Sequence, residues 1–181
     1  MPNNQTEQNA PSCVRLTPID KEKLQALANE GKKNPHVIKT LKCKTVAEGR
    51  FRHLNYIRTL PPYIVDEPPT LLGDDTAPNP SEALLAALGS CIAVGIHANA
   101  VAQDKSISKL EVQLEGDLNI TAVWGTGDLD ENKPLGFTDV RIVVTLEGDF
   151  SQEEREKLIK HALKWSPVAN TLMRKVNVTI A

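Results

Sequence analysis

The sequence predicts an α+β fold, helices packed on antiparallel sheet, and three observations carry that prediction. Between Glu82 and Asp104 runs a stretch without a formal charge, dominated by Ala and Leu, which are strong helix formers. A helix apolar around most of its circumference must be buried on most sides. Before and after it the apolar period changes to two, as in half-buried strands. Near the C-terminus, Ser151-Gln152-Glu153-Glu154 forms a capping box that opens a second helix. The predicted order from residue 36 is β-β-β-α-β-β-α-β, with residues 1–35 as a tail and an appended helix, 36–181 as one domain, and no internal repeat.

Taken in order, residues 1–16 are polar, with Asn, Gln and Pro and little periodicity, and read as a disordered tail. Thr17 as cap and Pro18 at the first helical position predict a helix through Leu24, Leu27 and Ala28 that stops near Gly31. Its narrow apolar face makes it an appendage docked on the domain. Val37 to Glu48 and Phe51 to Arg58 alternate as a hairpin, and Tyr63 to Asp66 is a third short strand between two Pro-Pro pairs. Glu67 to Asn79 holds Gly73, Asp74, Asp75 and three prolines, so it is a loop leading to the central helix. Its aspartates read as solvated carboxylates rather than a cation site. Asn79 or Ser81 can cap the central helix, Pro80 suits its first turn, and Glu82 suits the positive end of its dipole. Beyond it, Ile107 to Leu118 alternates as a strand, Asn119 to Gly136 is a long hairpin connection, and Val140 to Leu146 is a strand whose Val143-Val144 pair predicts partial cover on both faces. The capped helix runs through Leu158, Ile159, Ala162 and Leu163 until Ser166-Pro167 breaks it. Val168 to Leu172 adds a turn, and Val176 to Ile180 closes the chain as a strand.

Composition excludes several function classes. A net charge of −2 and an aromatic share of 4% leave neither a basic footprint nor stacking surfaces for nucleic acid. The cysteines, Cys13, Cys43 and Cys91, have no metal-ligand spacing, and no cofactor motif is present. An odd cysteine count without a secretory signal points to the reducing cytoplasm. Ala83 to Gln103 is long enough to span a membrane, but His97, Asn99, Gln103 and the absence of flanking Lys/Arg clusters favour a core helix, and no membrane partner is expected.

Cys91 is the candidate functional residue. As a buried cysteine it can serve merely as a small hydrophobe. Gly89 and Ser90 before it, and Gly95 one turn on, let another backbone or a substrate come close to the sulfur. At about 100° per residue, Cys91 shares a face with Leu84, Ala87, Leu88 and Gly95, while Glu82 points to the opposite side and His97 roughly 120° away. Neither is placed to act on the thiol within the helix. His53 and His161 read as surface or satisfied core histidines.

At Asn79-Pro80-Ser81-Glu82 leading into Leu88-Gly89-Ser90-Cys91, the sequence resembles the OsmC/Ohr family of osmotically induced and organic hydroperoxide resistance proteins. Gly49-Arg50 falls on the early strands where that family carries an arginine. Ser166-Pro167-Val168 is similar to its late Cys-Pro segment, and Val176 to Ile180 to its final strand. The agreement runs from about residue 36 to the end and leaves the N-terminal helix outside. The resemblance implies an intertwined homodimer, with sheets wrapped around two long central helices and active sites at the subunit interface. It also implies a thiol peroxidase of oxidative-stress defence. Carried over by position, Cys91 attacks the peroxide and Arg50 stabilises the thiolate and the developing oxyanion, with Arg52 and Arg58 as competitors because both share its strand parity.

The chain departs from the family twice. The resolving cysteine falls on Ser166, and the glutamate that orients the arginine aligns with Ser81, one residue before Glu82. Glu82 substitutes only if the first helical turn is distorted. The resemblance therefore implies a single-cysteine enzyme whose sulfenic acid is resolved by an external thiol, with Cys43 or Cys13 as internal alternatives. The apolar lining of Leu84, Leu88 and Ile92 suits organic hydroperoxides better than hydrogen peroxide. The competing reading is a non-catalytic dimer on the same fold, with Cys91 as a ligand contact or redox sensor; acyl transfer by a Cys/His pair has no motif behind it.

Overall fold

A computed structural model describes residues 16–180. The chain runs α1 (Lys21–Lys33), β1 (Lys44–Gly49), β2 (Arg52–Tyr56), β3 (Tyr63–Val65), α2 (Pro80–Ala102), β4 (Ile107–Asn119), β5 (Gly136–Gly148), α3 (Gln152–Trp165) and α4 (Pro167–Met173). Strands β1, β2 and β3 form one antiparallel sheet in that order, and β4 and β5 pair as a second. This is the α+β arrangement expected, and the tail up to residue 15 lies outside the described residues.

The core forms where α2, α3 and α4 meet the β4–β5 ribbon. Leu88, Ile92, Ile96 and Ala100 of α2 are buried against Leu146 of β5, Leu158 and Ala162 of α3, and Ala169 of α4. Fully burying one such aliphatic side chain is worth about 1.5–3 kcal/mol. The ribbon's inward face is set by its register: Leu110 opposes Leu146, Val112 opposes Val144 and Leu114 opposes Ile142. Small residues set the distances between elements. A methyl on Gly95 would stand 3.2 Å from the Ala162 methyl, so α2 and α3 touch nearly backbone to backbone. A methyl on Gly89 would stand 2.7 Å from Leu114 Cδ1, so Gly89 receives β4. Gly116 similarly accommodates the Phe137 ring.

The expected capping box forms at α3, and Asn79, one of the two expected caps of α2, forms a second one with Glu82. Asn79 Oδ1 accepts from the Glu82 N–H at 2.9 Å, and Glu82 Oε2 accepts from the Asn79 N–H at 2.8 Å. Ser151 and Glu154 repeat the pattern at α3, where Lys105 also reaches Glu154 at 2.8 Å. Helix α2 is long and apolar enough to cross a membrane, yet one side of it carries the core contacts described above. Its other side, through Ala87, Ser90 and Val94, is exposed in the single chain.

Five expectations are corrected. Helix α1 is capped by Asp20, whose side chain accepts from the Lys23 N–H, rather than by Thr17; it also runs past Gly31 to Lys33, where Asn34 caps it by donating its N–H to the Glu30 carbonyl. The first strand starts only at Lys44, since Val37, Ile38 and Leu41 are exposed and find no partner strand. The second and third strands are likewise shorter, ending at Tyr56 and Val65. Val143 is 61% exposed, so β5 is covered on one face only. Residues 176–180 form no strand, and Val178 and Ile180 are exposed.

Candidate functional site

One proline and one residue serving as two caps build the corner where the sulfur sits. Pro167 disfavours helical geometry in the residue before it, which ends α3. Ser166 is accordingly extended (φ −68°, ψ 120°) and serves both as C-cap of α3 and N-cap of α4. Its hydroxyl oxygen accepts from the Ala169 N–H at 3.1 Å. With that acceptor direction taken, the hydroxyl proton goes to Cys91 Sγ, 3.1 Å away. Ser166 is buried at 3% exposure, while Cys91 keeps partial access to solvent. Sequence reasoning placed Ser166 at the helix break and, as a candidate site residue, at the position of the family's second cysteine. Its N-cap role was legible in Ser166-Pro167, but not its contact with a sulfur 75 residues away.

A cavity of about 640 Å³ opens beside this corner. Leu84 and Leu88 form its wall on α2, Ala169, Leu172 and Met173 its wall on α4, and Phe137 and Ile142 its wall on β5. Leu88 is one turn from Cys91, and Ala169 is the residue that fixes Ser166. Of the apolar lining expected, Leu84 and Leu88 border this cavity; Ile92 is instead 1% exposed and sealed in the core, because the 100° step turns it toward the β4–β5 ribbon.

The early-strand arginines are held elsewhere within the chain. Arg50 adopts a left-handed conformation (φ 46°) in the β1–β2 turn and pairs with Asp74. The parity shared by Arg50 and Arg52 is lost there, since Arg50 is a turn residue and Arg52 opens β2. Arg52 Nε donates to Glu48 at 2.6 Å and its Nη1 to Thr76 Oγ1 at 2.7 Å. Arg58 also lies at positive φ, outside β2. Glu82 is engaged in its helix cap. His97 is half-buried farther along α2, and His161 packs beside Trp165. Cys43 is exposed just before β1, and Cys13 lies outside the described residues. Among the described residues, the sulfur's side-chain hydrogen bond is thus to Ser166, and no guanidinium bonds to it.

The loop after β3 carries a feature that sequence reasoning missed. Asp66 is fully buried, and its carboxylate accepts from the Thr76 hydroxyl at 2.7 Å, the Thr76 N–H at 3.0 Å and the Glu67 N–H at 2.8 Å. The Thr76 bonds, foremost its hydroxyl, hold Asp66 down to about 2 against the opposing effect of burial. Thr76 also accepts from Arg52, so β2 is tied to the loop through Thr76 and Asp66. Because the folded value lies below the unfolded one, Asp66 contributes stability above about pH 4 and loses it as pH falls toward 2. The urea midpoint of Asp66→Asn is expected to fall below that of the native chain at pH 7, the gap closing as both are taken to pH 2. The next residue, Glu67, is 7% exposed, and its Oε2 has no hydrogen-bond partner. Burial, Glu82 and Asp66 raise its pKa, against the opposing influence of His53.

The fold is shared with several solved structures. An OsmC-like protein from Mycoplasma pneumoniae superposes with a TM-score of 0.63 at 20% identity, over 76% of this chain and 89% of that one. An organic hydroperoxide resistance protein OsmC from Legionella pneumophila gives 0.56 at 22% identity, over 75% and 90%. An organic hydroperoxide resistance protein from Elizabethkingia anophelis gives 0.53 at 16%, over 75% and 89%. No curated protein sequence matches this chain. The family model for OsmC-like protein matches residues 73–181, which spans α2, the β4–β5 ribbon, α3 and α4, and the chain therefore belongs to the OsmC-like family.

Proposed function

We propose that this protein is a thiol-dependent peroxidase of peroxide defence that reduces organic hydroperoxides through Cys91. Family membership, together with similarity to proteins named for organic hydroperoxide resistance, supports a role in peroxide defence. The observation that carries the finer reading is the Ser166 hydroxyl directed at Cys91 Sγ, 3.1 Å away, beside an apolar cavity of about 640 Å³. Only a thiolate is a good nucleophile, and a buried donor aimed at the sulfur serves it. The thiolate attacks the terminal peroxide oxygen, the O–O bond breaks, and the alkoxide leaves as alcohol after taking a proton. Cys91 becomes a sulfenic acid. One external thiol condenses with it, releasing water and forming a mixed disulfide; a second thiol attacks that disulfide and restores Cys91 as the disulfide of the reductant departs. A cytoplasmic thiol pool supplies such a reductant.

The proposal includes a homodimer. The exposed side of α2, with Ala87, Ser90 and Val94, and the unpaired apolar segment around Val178 and Ile180 are surfaces that a second copy would cover. The oxyanion-stabilising guanidinium remains assigned to Arg50, reaching the sulfur from the other subunit's β1–β2 turn. Glu82 keeps the helix N-terminus in place, and Ser166 takes the donor role at the sulfur.

Purified protein supplied with dithiothreitol is expected to consume cumene hydroperoxide faster than hydrogen peroxide, because the cavity wall is mostly apolar. Failure to consume either above the rate of buffer alone overturns the reading.

A further inference from the structure

We propose that Glu67 is the anchor of a binding site for a small organic ammonium ion with an apolar body. The carboxylate is more than nine-tenths buried, and Oε2 is without a hydrogen-bond partner. An ionised oxygen in that position is costly unless a donor or a cation meets it. Glu67 lines two cavities that share Trp124 as a second wall, one of about 310 Å³ and one of about 180 Å³. The larger is within the size range of small-molecule pockets. Its other walls include Leu71, Leu118 and Val123, so it is apolar apart from the carboxylate and a few polar groups at Asn79, Ser81 and Asn119.

Charge sign selects the ligand class. Asp66, ionised by its Thr76 hydrogen bonds, is the adjoining residue, and Glu82 lies near enough to act on Glu67 electrostatically. The wall itself carries one carboxyl, Glu67, with His53 in the smaller cavity; with Asp66 and Glu82 close by, the field favours a cation over a carboxylate or phosphate. The aromatic wall agrees with this. The Trp124 and Phe51 rings lie 5.0 Å apart at a 39° tilt beside Glu67, and an aromatic face attracts ammonium groups. The site is also firmly placed. A methyl on Gly73 would overlap the Glu67 carbonyl, which accepts from the Asp75 N–H at 3.1 Å, so the loop folds tightly around this residue. This inference does not depend on the chemistry of Cys91.

Calorimetry at neutral pH with phenethylammonium, n-butylammonium and tetramethylammonium, against 2-phenylethanol and phenylacetate, tests it. At least one ammonium ion is expected to bind, with 2-phenylethanol and phenylacetate weaker. Glu67→Gln is expected to weaken ammonium binding about tenfold or more while leaving 2-phenylethanol unchanged. Because this variant removes an unpartnered carboxyl and keeps the shape, its thermal midpoint is expected to stay level or rise, which separates loss of binding from loss of fold. Trp124→Leu is expected to weaken the ammonium ion more than the alcohol. No ammonium binding at millimolar concentration, or equal binding to the native chain and Glu67→Gln, overturns the proposal. So does a Glu67→Gln effect confined to oligomeric state, which would assign the carboxylate to a side-chain cation of a second copy.

Discussion

Cys91→Ser is expected to bring hydroperoxide consumption down to the buffer rate, a fall of about a hundredfold or more. The hydroxyl that replaces the thiol has no accessible anion near neutral pH and does not form a sulfenic acid. Two variants at Ser166 sharpen the result. Ser166→Ala removes the proton donated to the sulfur and the acceptor for the Ala169 N–H. A hydrogen bond to a charged group is worth about 1.5–3 kcal/mol, so turnover is expected to fall about tenfold to a hundredfold. Loss of the cap adds about 1 kcal/mol of destabilisation. Ser166→Cys puts a second sulfur where an oxygen now stands 3.1 Å from the first. One equivalent of peroxide is then expected to give a disulfide between the two positions, seen by mass spectrometry as the loss of two hydrogens, where the native chain gives a trappable sulfenic acid. Turnover by Cys91→Ser equal to that of the native protein would falsify the peroxidase reading and leave the non-catalytic dimer as the alternative.

Ile96→Ala is expected to cost about 2–5 kcal/mol, a large share of the 5–15 kcal/mol typical of a whole domain. Ile96 is 0% exposed, in the C-terminal half of α2, and belongs to the cluster that joins α2 to Leu146, Leu158 and Ala162. Little relaxation is available there, because Gly95 already brings Ala162 to contact distance. Urea unfolding followed by tryptophan fluorescence measures the loss, and Ile96→Val is expected to cost about 0.5–1.5 kcal/mol on the same grounds. Val94 is the contrasting site on the same helix, 68% exposed in the single chain. Val94→Ala is expected to lower stability in a manner that depends on protein concentration if a second copy covers that side. A change within about 0.5 kcal/mol at every concentration would argue against the dimer.

The sequence by itself determined the central helix and its caps, the β4–β5 hairpin, the capped α3 and the break at Ser166-Pro167. Each is local: caps, prolines and periodicity act within a few residues, so a string of letters contains the whole cause. It also singled out Cys91 and the family resemblance. Only the tertiary structure decided what meets the sulfur, because the Cys91–Ser166 contact joins residues brought together by the packing of α2 against α3 at Gly95 and Ala162. Tertiary structure likewise turned Arg50 toward Asp74, through a left-handed turn that alternation does not encode. It left Val176–Ile180 without a sheet partner, since strand formation needs a neighbouring edge as well as an alternating pattern. Glu67 is the sharpest case. In the sequence it is only the first residue of a proline-rich loop, and its burial follows from the way the loop closes over it at Gly73.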